Sequence, residues 1–242
     1  AGKSASVSKT YDSFIGFILG TGTNTCYIES NRNILKKPGL DPRKSQIINI
    51  ESGNLGNPPR TALDIEFDNT TANPENYTFE KMISGAYLGN LSLHVLKRAA
   101  TDNVFTQETA RQILELPQLS SEDASNLDTM YGNKLNPLGR CISSAEDEIH
   151  CVTIIDSLID RAAKLVAANL AAVVLKTDKG KSEELPILMT IEGTAFYRMH
   201  NLRERFENYF SDYLSGKLKR YVEFTEVPQS SLVGAALAAL VE

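Results

Sequence analysis

The first fifty residues alternate short, largely apolar runs with polar turns, a pattern that is typical of strands. Residues 14–19 and 26–29 form two such runs, and the turn sequence GTGTN at residues 20–24 lies between them. Glycine accepts turn conformations at little steric cost, so these parts predict a β-hairpin. Residues 46–50 form a third apolar run. The pattern therefore predicts three consecutive strands.

Further along, the chain shows mainly the three- and four-residue spacing of amphipathic helices. Helices are predicted for about ten residues from Tyr77 onward, for residues 106–114, and for residues 145–175, the longest of them. Residues 54–76 are polar and contain three prolines, which predicts a loop.

Single strands interrupt the helices in the second half of the chain. Residues 186–191 are apolar and predict a buried strand, and residues 220–224 predict a last strand. A helix is predicted between them at 202–214, and a helix of small residues at 232–240. The periodicity of residues 123–141 is too weak to assign. Three strands, followed by helices that alternate with single strands, predict an α/β domain.

Composition and charge narrow the class of protein. A chain of 242 residues with 42% hydrophobic residues is long enough to bury the core of one large domain. Its net charge is −5 and its basic residues are dispersed, which argues against nucleic-acid binding. No apolar run approaches the ~18 residues of a membrane span. Three cysteines without CxxC spacing predict free thiols and a cytoplasmic location, and the isolated histidines offer no metal-binding pair.

Several residues carry candidate chemistry, and each has a simpler alternative. The GTGTN turn could admit an anionic ligand to its backbone N–H groups, or it could be a plain hairpin turn. Glu51 follows a predicted strand and is either a surface carboxylate or an acceptor for two sugar hydroxyls. Glu80 lies in the first turn of a predicted helix, where the helix dipole alone favours an acid. The GKS sequence at residues 2–4 lacks the strand and helix of a phosphate-binding loop and is rejected.

Three sequence clusters, taken together, resemble the hexokinase family. They are GTGTNTCY at residues 20–27, NIESGNLG at 49–56 and FEKMISGAYLG at 79–89. They match, in order, the family's GTGxNxxY turn, its INxEWGxFG segment and its FEKMISGxYLGEL helix. The resemblance implies one ribonuclease-H-like half of the actin, heat-shock-ATPase and sugar-kinase superfamily.

The resemblance also implies a site for a hexose and ATP. It makes Asn24, Glu51 and Glu80 the sugar ligands. It places ATP along a further group of residues: Gly20, Thr21, Gly22, Gly193 and Thr194 on the phosphate side, and Ser231 on the adenosine side. Mg²⁺ is implied to accompany the phosphates.

Three departures of this chain from the family's motifs affect the implied site. Ser52 replaces the usual tryptophan beside the sugar-binding glutamate, Glu192 replaces the aspartate of the second phosphate turn, and Gln229 replaces an acid near the C-terminus. The last departure lies in a degenerate adenosine-side segment. It keeps open an alternative to an enzyme, namely a hexokinase-like sugar sensor that binds hexose without turnover.

The catalytic base of the family has no counterpart in this chain. In hexokinases it is the aspartate of an Asn-Asp-Thr or Asn-Asp-Ser sequence shortly before the GTGxN hairpin. Asp12 is the only acid in that region and does not match. The resemblance therefore implies that residues 1–242 form the large, C-terminal domain, with the small domain and the base upstream of Ala1. We expect an ATP-dependent kinase for the 6-hydroxyl of a hexose, of which this chain alone is inactive.

Overall fold

The computed structural model of the protein describes residues 9–127 and 132–227, together with residues 234 and 236. Its strands form a mixed five-stranded sheet in the order β3-β2-β1-β4-β5. The strands are β1 Ser13–Leu19, β2 Thr23–Ser30, β3 Ser45–Asn49, β4 Ile187–Glu192 and β5 Val222–Thr225. The predicted strands and the predicted α/β class are confirmed.

The hairpin and the fourth strand bring two turns to one edge of the sheet. β1 and β2 are antiparallel, with Leu19 opposite Thr23. The backbone N–H of Gly20 donates to the carbonyl of Gly22 (2.9 Å) and closes the turn. β4 runs parallel to β1, with Ile18 opposite Glu192. The segment that follows β4 therefore lies beside the GTGTN turn.

Helices pack on the sheet. They are α1 Ala62–Asp68, α2 Thr78–Ile83, α3 Leu88–Thr101, α4 Gln107–Glu115, α5 Ser121–Ser125, α6 Pro137–Cys141, α7 Ala145–Thr177, α8 Thr194–Arg198 and α9 Leu202–Ser211. The long helix α7 is central. Its residues Ile155, Ile159, Val166 and Leu170 recur on one face and are fully buried, where α7 packs against β2 and α9.

Helix α1 was not predicted, because a short helix in a polar segment carries little periodicity. A capping box starts it. The hydroxyl of Thr61 accepts from the backbone N–H of Asp64 (3.3 Å), and the Asp64 carboxylate accepts from the backbone N–H of Thr61 (2.7 Å). The predicted loop over residues 54–76 is therefore wrong for Ala62–Asp68.

The helix predicted from Tyr77 onward is broken into α2 and α3. Ser84 is extended, with φ −85° and ψ 161°, and ends α2. A Cβ atom on Gly85 would lie 2.8 Å from the carbonyl oxygen of Gly20, so this position needs glycine where the chain passes the turn. A Cβ atom on Gly89, inside α3, would lie only 2.3 Å from the carbonyl carbon of Ser120. Both glycines permit a close backbone approach, and Gly85 lies between the two helices.

Some predictions concern the ends of elements or of the chain. α9 ends at Ser211, and residues Asp212–Leu218 continue it as a π-helical segment. The GKS sequence at 2–4, Ser231 and most of the predicted helix at 232–240 lie outside the described residues. Among the helices that the structure does describe, none combines the length and apolar character needed to cross a membrane.

Candidate active site

The GTGTN turn is hydrogen-bonded to the segment between α2 and α3. The backbone N–H of Gly85 donates to the carbonyl of Gly20 (2.8 Å), and that of Ala86 donates to the carbonyl of Thr21 (3.1 Å). These two bonds direct the turn's carbonyls toward the helix break, so the turn is held by a tertiary contact as well as by its own hairpin.

Glu80 lies against the returning strand of the hairpin. Its Oε2 accepts from the backbone N–H of Thr23 (2.8 Å). Cβ atoms built on Gly22 and Gly53 would lie 2.6 Å and 3.1 Å from this oxygen, so glycine at both positions makes room for the carboxylate. In the described part of the chain, Oε1 of Glu80 accepts no hydrogen bond. Glu80 is half-buried and presents one free oxygen.

Glu51 and Asn24 are joined by Asn49 and extend the polar group that begins with Glu80. The amide of Asn49 donates to Oε1 of Glu51 (2.6 Å) and accepts from Nδ2 of Asn24 (2.6 Å). Asn24 Nδ2 is also 3.4 Å from the same Glu51 oxygen. Because Glu80 contacts Thr23 and Asn24 follows it, the two carboxylates lie at the same turn.

The backbone of Glu51 is left-handed, with φ 55° and ψ 45°. A residue with a Cβ atom is uncommon there, and such outliers cluster at functional sites. The conformation ends β3 and starts the 3-10 turn Ser52–Asn54. It turns the chain sharply and directs Glu51 back toward Asn24 and Asn49.

Ser52, which replaces the family's tryptophan, is buried. Its hydroxyl lies 3.0 Å from the hydroxyl of Thr25, and that of Thr25 also accepts from Nδ2 of Asn169 on α7 (3.0 Å). Ser52 is thus hydrogen-bonded to Thr25 of β2, which is itself hydrogen-bonded to α7.

A cavity of about 610 Å³ opens on the other side of the turn. This volume is typical of a small-molecule site. The walls nearest the turn consist of small residues: Gly20, Thr21, Gly85, Ala86, Thr194 and Ala195. Arg198, on α8, adds a guanidinium that forms no ion pair with any described residue, and Glu122 adds an acid.

Gly193 brings the two turns together. Its φ of 115° is a conformation that residues with a side chain rarely adopt, and a Cβ atom there would lie 2.2 Å from the carbonyl oxygen of Leu19. A Cβ atom on Gly20 would in turn meet the Cα of Gly193 at 3.7 Å. The segment after β4 can approach the hairpin turn only because residue 193 is glycine.

The structure separates the predicted site residues into two neighbouring groups. Asn24, Glu51 and Glu80 form one polar group, and Gly22 lies beside Glu80. Gly20, Thr21 and Thr194 line the cavity, with Gly193 directly behind Gly20. Ser231 lies outside the described residues.

Asp12 lies at the opposite end of β1 from these groups. The seven residues of β1 separate it from Gly20, about 25 Å at the rise of a strand. It accepts from the backbone N–H of Gly180 (2.9 Å) and from Lys179 (3.1 Å). Burial alone would raise the pKa of this carboxyl, but these bonds outweigh it and lower the pKa below its usual value.

Two residues of the site, Asn49 and Arg198, were not singled out from the sequence. Asn49 was visible only as part of the quoted NIESG match, and its role depends on cross-strand contacts. Arg198 stands four residues after Thr194, a spacing that gains meaning only once α8 lies beside the cavity. Among the residues that the structure describes, no three His, Cys, Asp or Glu side chains are grouped to hold a metal ion.

Solved structures of sugar kinases share this fold. A hexokinase from Schistosoma mansoni complexed with glucose superposes with a TM-score of 0.72 at 21% identity, covering 91% of this chain and 50% of that one. A glucokinase from an Antarctic psychrotroph gives a TM-score of 0.51 at 16% identity, covering 98% of this chain and 59% of that one. The fold therefore is that of the sugar kinases related to actin and the heat-shock ATPases, as predicted.

Sequence comparisons identify the family. The family model described as Hexokinase matches residues 14–241, and the chain belongs to the hexokinase family. Hexokinase-like 1 protein of Arabidopsis thaliana is 28% identical over 242 residues, which cover 94% of this chain and 49% of the relative. Human Hexokinase-3 is 33% identical over 199 residues, or 77% of this chain and 21% of the relative. The chain thus spans half or less of the length of these curated relatives.

Proposed function

We propose that this chain is the large, C-terminal domain of an ATP-dependent hexose kinase that phosphorylates the 6-hydroxyl of a glucose-like sugar. One observation carries the proposal. The five-residue GTGTN turn has a cluster of carboxylates and amides on one side and a cavity lined by small residues on the other. Phosphoryl transfer needs its acceptor and donor side by side, and a single turn that contacts both groups supplies that arrangement.

On the sugar side, Glu51, Glu80 and Asn24 would bind hydroxyl groups. Each carboxylate already accepts hydrogen bonds from the protein on one oxygen, which fixes its orientation and leaves the other oxygen for the ligand. A carboxylate oxygen accepts a strong, charge-assisted hydrogen bond from a hydroxyl. Two such acceptors at fixed positions favour a polyol over a ligand that carries acceptors only.

On the other side, the cavity fits a nucleotide. Gly20, Thr21, Gly193 and Thr194 would lie along the phosphates, where small residues expose backbone N–H groups and hydroxyls. ATP would supply the transferred phosphoryl group, and Mg²⁺ accompanying the phosphates would offset their charge. Arg198 would add a cation to that side of the cavity.

The proposal assigns the catalytic base to a residue outside residues 1–242. Glu51 and Glu80 are engaged in holding the sugar, and Asp12 is remote from the site and bound to Lys179. An acceptor for the proton of the 6-hydroxyl would therefore come from a second domain, the small domain upstream of Ala1. A cytoplasmic location is also proposed, and the free thiols of Cys26, Cys141 and Cys151 support it.

The deciding experiment measures product and binding separately. The intact protein is incubated with ATP, Mg²⁺ and glucose, and the product is analysed by ³¹P NMR, with calorimetric titration of glucose in parallel. We expect glucose 6-phosphate and glucose binding. Binding without turnover would support the alternative, a sugar sensor. If the protein neither binds nor phosphorylates glucose, mannose or fructose, the proposal is wrong.

A further inference from the structure

We propose that Asn49 is a positioning residue that holds Glu51 and Asn24 in the orientation that binds the sugar; this inference rests on the function proposed above. Asn49 is the last residue of β3 and is paired with Cys26 of β2. Its amide lies between the two residues, 2.6 Å from each.

The chemistry of Glu51 determines how the Asn49 amide is oriented. An ionised carboxylate only accepts hydrogen bonds, so the NH₂ group of Asn49 must face Oε1 of Glu51. The carbonyl oxygen of Asn49 then faces Asn24, which must present its own NH₂ group. The orientation thus follows from donor and acceptor chemistry.

Backbone donors impose the same orientation on Asn24 from its other side. Oδ1 of Asn24 accepts from the backbone N–H groups of Thr25 (2.7 Å) and Ser52 (3.3 Å). Its NH₂ group is therefore turned toward Asn49 and Glu51. From Ser52 through Asn24 and Asn49 to Glu51, every donor meets an acceptor, and the Asn49 amide both accepts from Asn24 and donates to Glu51.

Without Asn49, little would order the Glu51 side chain. Glu51 is exposed, and its partners within the described residues are Asn49 and, at 3.4 Å, Asn24. A long exposed side chain populates many rotamers, and ordering it on binding costs affinity. With Asn49 in place, Oε1 is occupied and the other carboxylate oxygen remains for a sugar hydroxyl.

Two variants of Asn49 separate positioning from a purely structural role. Asn49→Ala removes both bonds, and we expect the KM for glucose to rise about 10-fold with a much smaller change in kcat, because the interaction acts on ground-state binding. Asn49→Asp is isosteric but places a second acceptor against Glu51. We expect a larger rise in KM, about 30-fold or more, since the two carboxylates repel each other. A role in strand shape alone would give the reverse order, with the isosteric variant the milder.

Gln46→Ala is the matched control. Gln46 lies on the same strand, and its amide donates to Oδ1 of Asn31 (3.1 Å), away from the site. We expect its KM for glucose to equal that of the unaltered protein. Circular dichroism and thermal unfolding establish that each variant is folded.

The experiment is steady-state kinetics of the intact protein with glucose varied at saturating ATP, together with calorimetric titration of glucose. A KM ranking of Asp above Ala above the unaltered protein, with Gln46→Ala unchanged, supports the proposal. A KM within twofold of the unaltered value for Asn49→Ala, or Asp milder than Ala, overturns it. If the unaltered protein neither binds nor phosphorylates a hexose, the proposed function itself has failed.

Discussion

Glu51 and Glu80 face the same turn but are held in different ways. Glu80 is fixed by a backbone N–H group at 2.8 Å and by two glycines that leave it room. Glu51 is exposed, is fixed by side-chain amides and sits on a strained backbone. Neither carboxylate packs in the hydrophobic core, so their removal should affect binding far more than folding.

We therefore expect Glu51→Ala and Glu80→Ala each to reduce hexose affinity severely in the intact protein. Charge-assisted hydrogen bonds from sugar hydroxyls contribute about 1.5–3 kcal/mol each, so the loss of a glutamate should cost roughly 3–5 kcal/mol after allowance for non-additivity. That is about 100- to 5000-fold in affinity. Titration calorimetry with glucose measures it, and circular dichroism serves as the control. Unchanged binding in a folded variant would make the glutamate a surface acid.

The left-handed backbone at Glu51 leads to a stability prediction. For most residues this conformation costs about 1–2 kcal/mol, whereas asparagine adopts it more readily. We expect the free energy of unfolding of Glu51→Asn to exceed that of Glu51→Ala by about 0.5–1 kcal/mol. Both variants should have lost hexose affinity. Urea denaturation of the two variants measures the difference. Equal stability would mean that the surrounding turn, rather than residue 51, carries the strain.

At the scale of elements, the sequence predicted whatever depends on local pattern. The hairpin, β4 and α7 follow from alternation or helical spacing, and the structure has all three. Helix α1 was missed because seven residues give too little periodicity. The break between α2 and α3 was missed because it serves a contact between Gly85 and Gly20, which are far apart in sequence.

In the candidate site, too, contacts between distant segments could not be predicted from local pattern. Spacing alone favoured a plain role for Glu80, and only the resemblance to hexokinases made it a sugar ligand. Asn49 depends on the register of β2 against β3, which no single segment encodes. The assignment of sugar and nucleotide ligands stays a prediction, while the structure supplies their grouping on the two sides of one turn.

Helix α7 begins at a buried carboxylate whose ionisation should stabilise the fold. Asp147 accepts from the hydroxyls of Thr106, Thr109 and Ser144 (2.7–2.9 Å) and from the backbone N–H of Thr106 (2.9 Å). Burial alone would raise the pKa of Asp147, but these donors lower it from 3.8 to about 2. Because the folded pKa lies below the unfolded one, the stabilisation is present above about pH 4 and is lost as the pH falls through about 2.

We expect Asp147→Asn to lower the free energy of unfolding by about 2 kcal/mol at pH 7, the equivalent of this shift. The difference from the unaltered protein should shrink between pH 4 and pH 2, where the native carboxylate becomes protonated. Urea denaturation at a series of pH values tests this, with Asp102→Asn, an exposed acid just after α3, as the control. A difference that does not depend on pH would show that the hydrogen-bond geometry, and not the charge, stabilises the start of α7.

At the scale of the whole molecule, the proposed function makes the site one wall of a cleft. Of the two carboxylates proposed to bind the sugar, Glu51 is exposed and Glu80 is half-buried, and the proposed base lies outside residues 1–242. A sugar held from one side keeps part of its surface in water, and a catalytic site works best when water is excluded. Affinity and turnover should therefore respond differently to isolation of this chain.

We expect the 242-residue chain alone to show no measurable hexose kinase activity and to bind glucose more weakly than the intact protein does. Without a carboxylate to accept the proton of the 6-hydroxyl, general base catalysis of about 10²–10⁴-fold is lost, and without a second wall the sugar and phosphate are not held together. A coupled assay with ATP, Mg²⁺ and glucose measures the activity, and NMR titration of glucose measures the binding. The matched control is the same chain carrying Glu80→Ala, in which the residual binding should disappear. Robust turnover by the isolated chain would place the base within residues 1–242. Since Asp12 is bound to Lys179 at the far end of β1, that result would direct attention to Glu51 or Glu80.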